Sequence, residues 1–121
     1  MKALVIDDSR AVRMVIKKIL AGIGFESVEA EDGKDALEKL QANGDVAICM
    51  VDWNMPVMNG YDFVCEVRKN PAYENVKLMM VTTENESGQI IKALAAGVDE
   101  YVMKPFTDDV ILDKLSMMGL V

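Results

Sequence analysis

The sequence predicts an α/β sandwich, in which a parallel five-stranded sheet carries helices on both faces. Two observations support this prediction. Five short apolar runs alternate with five segments whose apolar residues recur every three or four positions. The third apolar run, residues 46–51, shows no polar alternation, which is typical of a strand buried on both faces. The alternation implies parallel strands but does not by itself determine their order.

The first half of the chain is predicted to contain three strands and two helices. The strands are residues 4–6, 25–30 and 46–51. Helix one follows a capping Ser9 and helix two a capping Asp32. Their apolar stripes are Val12, Val15, Ile16, Ile19, Leu20 and Ile23 in helix one, and Ala36, Leu37 and Leu40 in helix two. We expect Gly22 and Gly24 to end the first helix and Gly44 to end the second.

The second half is predicted to contain two further strands and three helices. The strands are residues 78–81 and 101–103. A loop with Pro56 and Gly60 leads to helix three, which Pro71 closes, and Gly97 ends helix four. The apolar stripes are Phe63, Val64 and Val67 in helix three, Ile90, Ile91, Leu94 and Ala95 in helix four, and Val110, Ile111, Leu112, Leu115 and Met118 in helix five.

The composition indicates one globular domain. The chain has 121 residues, of which 51% are hydrophobic and 27% charged, and this is long enough to bury a core. The net charge of −7 argues against nucleic acid as a direct ligand, because phosphate backbones require clustered Lys and Arg. No apolar run reaches the length of a membrane span and no signal-peptide layout is present. We therefore expect a cytoplasmic protein with no membrane insertion.

The chain contains no histidine, so its chemistry must use carboxylates, hydroxyls and lysine. It can have no histidine base, no histidine metal ligand and no phosphohistidine of its own. Cys49 and Cys65 do not form a CxxC pair and cannot build a zinc site. Their apolar surroundings predict that both are small core residues.

Polar residues directly follow four of the predicted strands. Asp7 and Asp8 follow strand one, Asp52 follows strand three, Thr82 follows strand four and Lys104 follows strand five. Sites in open parallel sheets form at the carboxyl ends of strands, where the strand order reverses. If strands one and three are neighbours, three carboxylates converge there.

Such convergence is costly, and either protonation or a bound cation must relieve it. Two unit charges about 5 Å apart repel by roughly 3 kcal/mol at an effective dielectric near 20. Three such pairs approach about 10 kcal/mol, which is comparable with the stability of a whole domain. A site of oxygen ligands without His or Cys selects Mg²⁺ or Mn²⁺ over zinc, and a backbone carbonyl just past Asp52 could add a ligand.

A carboxylate beside such a cation can act as a nucleophile and become an acyl phosphate. Lys104 can then supply positive charge to the phosphoryl oxygens, and the Thr82 hydroxyl can donate to one of them. Each residue alone has an ordinary explanation: acids at a helix N-terminus for Asp7 and Asp8, a loop residue for Asp52, a solvated lysine for Lys104 and a strand-end residue for Thr82. The joint occurrence at four strand ends favours the site.

Four stretches together resemble the response-regulator receiver family along essentially the whole chain. They are LVIDDS at 4–9, MVDWNMPVMNG at 50–60, MMVTTE at 79–84 and YVMKPF at 101–106. The sequence at residues 52–56 is most similar to that of the chemotaxis members of the family. The resemblance implies a single flavodoxin-like (βα)5 domain over residues 1–121, with strand order 2-1-3-4-5. We also expect no output domain, and a receiver cut from a longer protein stays an alternative.

The resemblance also implies a role for individual residues. Asp52 matches the phosphoacceptor, and Asp8 and Asp52 match carboxylate ligands of Mg²⁺. Asp7 usually acts through water in this family, and Asn54 offers its backbone carbonyl. Lys104 matches the lysine that contacts the phosphoryl group.

Further matches concern the response to phosphorylation. Thr82 and Tyr101 match the hydroxyl and aromatic pair that reports the phosphorylated state. Asn54 and Glu84 match positions that tune hydrolysis of the acyl phosphate. The peptide between Lys104 and Pro105 is often cis in this family.

The function implied is that of a signalling switch and not of an enzyme. A histidine kinase or a histidine phosphotransfer domain would phosphorylate Asp52, and a surface of helix four, strand five and helix five would then control a partner, such as the flagellar motor switch. We expect a monomer. The start of helix four, residues 84–87, is acidic and neutral, whereas the same stretch of the enteric chemotaxis regulator is lysine-rich. Thr83 replaces an alanine that is common in that group. Lys114, in contrast, matches a lysine that faces the partner. A phosphorelay intermediate or adaptor therefore stays an alternative to a chemotaxis effector.

Two other classes fit the residues less well. Phosphatases of the haloacid type place two acids two positions apart after strand one, whereas Asp7 and Asp8 are adjacent and Asp52 arrives from strand three. A flavin-binding relative would not open its phosphate loop with two aspartates.

Overall fold

A computed structural model of the chain describes residues 1–83 and 86–121. The chain alternates strand and helix throughout. The strands are β1 (Lys2–Ile6), β2 (Glu26–Ala30), β3 (Val46–Val51), β4 (Lys77–Thr82) and β5 (Glu100–Met103). The helices are α1 (Arg10–Ala21), α2 (Gly33–Ala42), α3 (Gly60–Lys69), α4 (Ser87–Ala96) and α5 (Asp108–Met117), with a 3-10 turn at Pro71–Tyr73. None of the helices in the described ranges is long and apolar enough to cross a membrane.

The five strands form one parallel sheet in the order β2-β1-β3-β4-β5, which confirms the predicted fold and order. The order reverses between β1 and β3, whose last residues, Ile6 and Val51, are paired. The residues that follow β1 and β3 therefore begin beside each other at the carboxyl edge of the sheet.

Both faces of the central strands are buried, which explains the unbroken apolar run of β3. One core lies under α2, α3 and α4 and contains, among others, Leu4, Ile6, Cys49, Val51, Phe63, Leu78 and Met80. The other lies under α1 and α5 and contains, among others, Val5, Ile16, Leu20, Ile48, Met50, Met79, Ile111 and Leu115. Successive residues of each central strand thus enter opposite cores.

Predicted element boundaries needed small corrections. Phe25 precedes β2, because its N–H donates to the carbonyl of Leu20 and closes the end of α1. Ile23 lies beyond α1, which ends at Ala21. Gly24 has φ +84°, a left-handed conformation that glycine adopts without a side-chain clash.

The prediction for the two cysteines is confirmed for one of them. Cys49 is fully buried in β3, and burial raises the pKa of its thiol to about 12. Cys65, on α3, is only half-buried. Both are free thiols.

Candidate functional site

Three carboxylates lie together where β1 and β3 end. One oxygen from each of Asp7, Asp8 and Asp52 lies within 4.8 Å of the others. Asp7 and Asp52 are buried, whereas Asp8 is exposed. We call these three residues the acid cluster. Its donors are all oxygens and it faces solvent on one side, so the residues fit a hard divalent cation such as Mg²⁺.

Lys104 reaches the acid cluster from the end of β5. Its Nζ atom lies 2.8 Å from Oδ2 of Asp7 and 3.6 Å from Oδ2 of Asp52. The Lys104 side chain is mostly buried, so its attraction to these carboxylates is less screened than that of a surface pair. The peptide between Lys104 and Pro105 is cis.

Asp7 is held at both carboxylate oxygens. The N–H of Ser9 donates to Oδ1 over 2.9 Å, and Lys104 donates to Oδ2 over 2.8 Å. The Asp7 backbone N–H donates to the carbonyl of Ala30 over 3.1 Å. This aspartate is therefore fixed in position before any ligand arrives.

The ionised form of Asp52 is energetically unfavourable at this buried position. Burial is the main cause that raises its pKa above the usual value near 3.8, and the charge of Asp7 raises it further. The charge of Lys104 and hydrogen bonds from the Thr82 hydroxyl and the Trp53 N–H act in the opposite direction. The net increase means that an added positive charge at this place would stabilise the ionised form.

The other predicted site residues take different positions. Thr82 is fully buried at the end of β4 and contacts Asp52. Tyr101 is half-buried on β5 and is paired in register with Met80. Asn54 is exposed in the loop after Asp52. Glu84 lies outside the described residues.

Gly60 shapes the backbone around Asp52. Its N–H donates to the carbonyl of Trp53 over 2.8 Å, and a side chain at position 60 would overlap the carbonyl oxygen of Asp52. Only glycine allows the first turn of α3 to pack this closely against the residues at the site. Gly60 was predicted to lie in the loop before helix three, whereas it is the first residue of α3.

An aromatic pair next to the acid cluster was also missed. The rings of Trp53 and Tyr61 stack with centroids 5.4 Å apart and planes 17° from parallel. The Nζ atom of Lys92, on α4, lies 4.4 Å from the centroid of the Tyr61 ring. The contact links α4 to the residue that follows Asp52. In the sequence, this aromatic pair is indicated only by the aromatic residue at position 61, one residue after Gly60.

Comparisons with known proteins agree with this architecture. The sequence pattern of the response regulator receiver domain matches residues 3–116, and the chain belongs to that family. Within the family, it is a CheY-like receiver domain. It is 46% identical over 119 residues to the chemotaxis protein CheY1 of Helicobacter pylori, covering 98% of this chain and 96% of that protein. It is 47% identical over 116 residues to the chemotaxis protein CheY homolog of Campylobacter jejuni, covering 95% and 89%.

The solved structures show the same likeness. The chemotaxis protein CheY4 of Vibrio cholerae superposes with a TM-score of 0.90 at 33% identity, covering 97% of each chain. A CheY-like receiver domain protein from Methanospirillum hungatei superposes with a TM-score of 0.88 at 27% identity, covering 96% of this chain and 90% of that one. Receiver domains of the CheY type act as signalling switches.

Proposed function

We propose that the chain is a phosphorylation switch made of one receiver domain over residues 1–121. Asp52 accepts a phosphoryl group from a phosphohistidine donor protein, and the acid cluster binds Mg²⁺, or Mn²⁺, for this transfer. The convergence of the three carboxylates with Lys104 is the observation that carries the proposal. Such a set combines a nucleophile, a cation site and a positive charge for the incoming phosphoryl group.

The ligands of the cation are assigned from the resemblance to the family and from the hydrogen bonds that Asp7 already makes. Asp8 is exposed, and we assign a carboxylate oxygen to it and another to Asp52. The Asn54 carbonyl supplies a further oxygen. Both Asp7 oxygens already accept hydrogen bonds, so Asp7 acts on the cation through water. When bound, the cation neutralises carboxylate charge and polarises a phosphoryl oxygen.

The transfer exchanges one bond to phosphorus for another. An Oδ atom of Asp52 forms the new O–P bond while the N–P bond of the donor phosphohistidine breaks, and the departing imidazole keeps the electron pair. Lys104, 3.6 Å from Asp52, faces the charge on the phosphoryl oxygens. Thr82 contacts Asp52 in the unmodified protein, and its hydroxyl then donates to a phosphoryl oxygen.

The acyl phosphate is then lost slowly to water, with Asn54 and Glu84 tuning access to it. Signalling uses the movement of Thr82 toward the phosphate and of Tyr101 inward behind it. This shift of population changes the surface formed by α4, β5 and α5. The chain thus works as a monomeric switch and not as an enzyme with a separate substrate.

The charge of α5 bears on the identity of the downstream partner. Asp108, Asp109 and Asp113 are exposed on this helix, whereas Lys114 is half-buried and lies 3.5 Å from Glu100. The chemotaxis proteins among its relatives favour control of a flagellar motor switch. The acidic α5 keeps a phosphorelay or adaptor role as the second candidate.

Two measurements test these functions separately. Incubation with Mg²⁺ and a phosphorylated histidine phosphotransfer domain should remove the phosphohistidine and label this chain, and EDTA should prevent it. Retention of all label on the donor would contradict the proposed acceptor role. Binding of a motor-switch peptide that strengthens after phosphorylation would support chemotaxis. Return of the phosphoryl group to a second phosphotransfer domain, without peptide binding, would support the relay.

A further inference from the structure

The side chain of Arg13 spans the distance from α1 to the turn that carries Asp7 and Asp8. Its Nη1 atom donates to the backbone carbonyl of Asp7 over 2.6 Å. Its Nε atom donates to Oε1 of Glu29, on β2, over 3.0 Å. The Arg13 side chain is 15% exposed, whereas the Glu29 side chain is 36% exposed, so the guanidinium itself is mostly buried but its bond to Glu29 is partly open to water. A planar guanidinium can hold two such acceptors at a fixed angle.

The bond from Arg13 completes the restraint on Asp7. The backbone N–H of this residue is bound to Ala30, and its two carboxylate oxygens are bound to Ser9 and Lys104. The carbonyl oxygen is the remaining polar atom, and Arg13 occupies it. The peptide between Asp7 and Asp8 includes this carbonyl, so its orientation also sets the direction in which Asp8 leaves β1.

A guanidinium beside a cation site would also repel the cation, and this effect has the opposite sign. Glu29 offsets part of this repulsion, because its two oxygens bind Arg13 over 3.0 Å and Lys17 over 2.9 Å. Lys17 and Arg13 together lower the pKa of Glu29, and its carboxylate is ionised at neutral pH. One carboxylate cannot balance both cations, so Arg13→Lys, which keeps the positive charge, is the variant that isolates the effect of geometry.

We propose that Arg13 is a positioning residue for the divalent-cation site and acts through the Asp7 carbonyl to hold Asp7 and Asp8 in their binding geometry. This inference rests on the proposed function, since it assumes that the acid cluster binds the cation. Outer-shell partners of metal ligands commonly change metal affinity by about 10–100-fold when removed.

Mg²⁺ titration followed by Trp53 fluorescence tests the inference on three variants of the full chain. Arg13→Met removes both bonds, and Arg13→Lys keeps the charge but cannot reproduce the fork. Lys17→Met is the matched control, because Lys17 shares Glu29 but makes no contact with Asp7 in the described structure. Both Arg13 variants should raise the Kd for Mg²⁺ by roughly 10-fold or more, while Lys17→Met should stay within about twofold of the parent.

A second readout separates positioning from general damage to the fold. The initial rate of phosphoryl gain from acetyl phosphate should recover toward the parent rate when Mg²⁺ saturates the Arg13→Lys variant. A rate that stays low at saturating Mg²⁺ would assign Arg13 a purely structural role and overturn the inference.

The remaining outcomes are also decisive. Suppose that the parent binds Mg²⁺ and gains a phosphoryl group, and that both Arg13 variants bind Mg²⁺ as tightly as the parent or more tightly. This result would overturn the inference about Arg13 and leave the proposed function intact. A parent that does neither would overturn the proposed function and the inference with it.

Discussion

Lys104 lies closer to Asp7 than to Asp52: its Nζ atom is 2.8 Å from an oxygen of the first and 3.6 Å from an oxygen of the second. Lys104 thus neutralises part of the negative charge of the acid cluster, and it lies nearest to Asp7, whose two carboxylate oxygens already accept hydrogen bonds. Asp52 keeps a less compensated charge, in agreement with the raised pKa of its carboxyl. A divalent cation and the Lys104 ammonium should therefore compete electrostatically for the same carboxylates.

This competition gives opposite effects on binding and on transfer. Lys104→Met removes the charge but keeps most of the apolar stem, so Mg²⁺ should bind roughly 3- to 30-fold more tightly. Phosphoryl gain from acetyl phosphate at saturating Mg²⁺ should fall, because the positive charge facing the phosphoryl oxygens is lost. Trp53 fluorescence reports the first quantity and intact mass the second. Lys114→Met, which removes a lysine paired with Glu100, is the control and should change neither the Mg²⁺ affinity nor the chemistry.

The raised pKa of Asp52 predicts a pH dependence of stability. From the usual value near 3.8 up to the higher folded value, the unfolded chain releases this proton before the folded protein does. The free energy of unfolding therefore decreases as pH rises through that window. Asp52→Asn removes the ionisation, so without Mg²⁺ we expect this variant to melt at a higher temperature than the parent at pH 7.

The difference in melting temperature between the parent and Asp52→Asn should depend on pH and on Mg²⁺. At a pH below 3.8 the difference in melting temperature should shrink, because Asp52 is protonated in both the folded and the unfolded parent. Adding Mg²⁺ at pH 7 should raise the parent's melting temperature more than that of Asp52→Asn. A parent that is more stable than the variant at pH 7 without Mg²⁺ would contradict the unfavourable ionisation of Asp52.

Arg68 joins three segments on the face of the sheet that carries α3 and α4. Its guanidinium donates to the carbonyls of Tyr73, Val76 and Gly97 and to the carboxylate of Asp99, at 2.9–3.1 Å. Gly97 has φ +113°, and a side chain there would come within 2.7 Å of Arg68, so glycine permits this approach.

Removal of this guanidinium should cost stability without touching the acid cluster. Arg68→Met leaves several carbonyls without their donor, and we expect the free energy of unfolding to fall by about 2–4 kcal/mol. Urea denaturation measures the change. Lys69→Met, at a neighbouring exposed position, should change it by about 0.5 kcal/mol or less. Equal effects at the two positions would show that the Arg68 contacts do not stabilise the fold.

Val57 has a strained backbone in the loop after Asp52. Its φ is +70°, a left-handed conformation that is unfavourable for a β-branched residue, and its side chain is 78% exposed. Val57→Asn should raise the free energy of unfolding by about 1 kcal/mol, since asparagine tolerates this conformation. Val57→Ala, which keeps the Cβ atom, is the control and should gain less. Thermal melting that shows no gain in the Asn variant would argue against the strain.

Apolar periodicity was sufficient to predict the five strands and five α-helices of the described residues, but not the 3-10 turn at Pro71–Tyr73 or the arrangement of the elements. The neighbouring positions of β1 and β3, which bring Asp52 to Asp7 and Asp8, came from the resemblance to a family. Phe25 has the apolar character of a strand residue, and only its hydrogen bond to Leu20 shows that it belongs to the end of α1.

Several contacts around the site could not be predicted from the sequence. Arg13 binds a carbonyl, which every residue possesses, and its second partner Glu29 is 16 positions away on another element. Val57 takes a left-handed conformation, which usually occurs at glycine or asparagine. Trp53 and Tyr61 meet because Gly60 lets α3 approach the backbone of Asp52, a packing relationship that spacing alone does not reveal.

Intact mass after incubation with Mg²⁺ and acetyl phosphate, measured on the parent and on Asp52→Asn, is the sharpest test of whether Asp52 is phosphorylated. The parent should gain one phosphoryl group, it should gain none when Mg²⁺ is removed before the reaction, and the variant should gain none. No gain by a parent whose Trp53 fluorescence shows Mg²⁺ binding would contradict phosphorylation of Asp52 and indicate a receiver fold that signals by protein contact alone. Equal gain by the parent and the variant would show that Asp52 is not the acceptor.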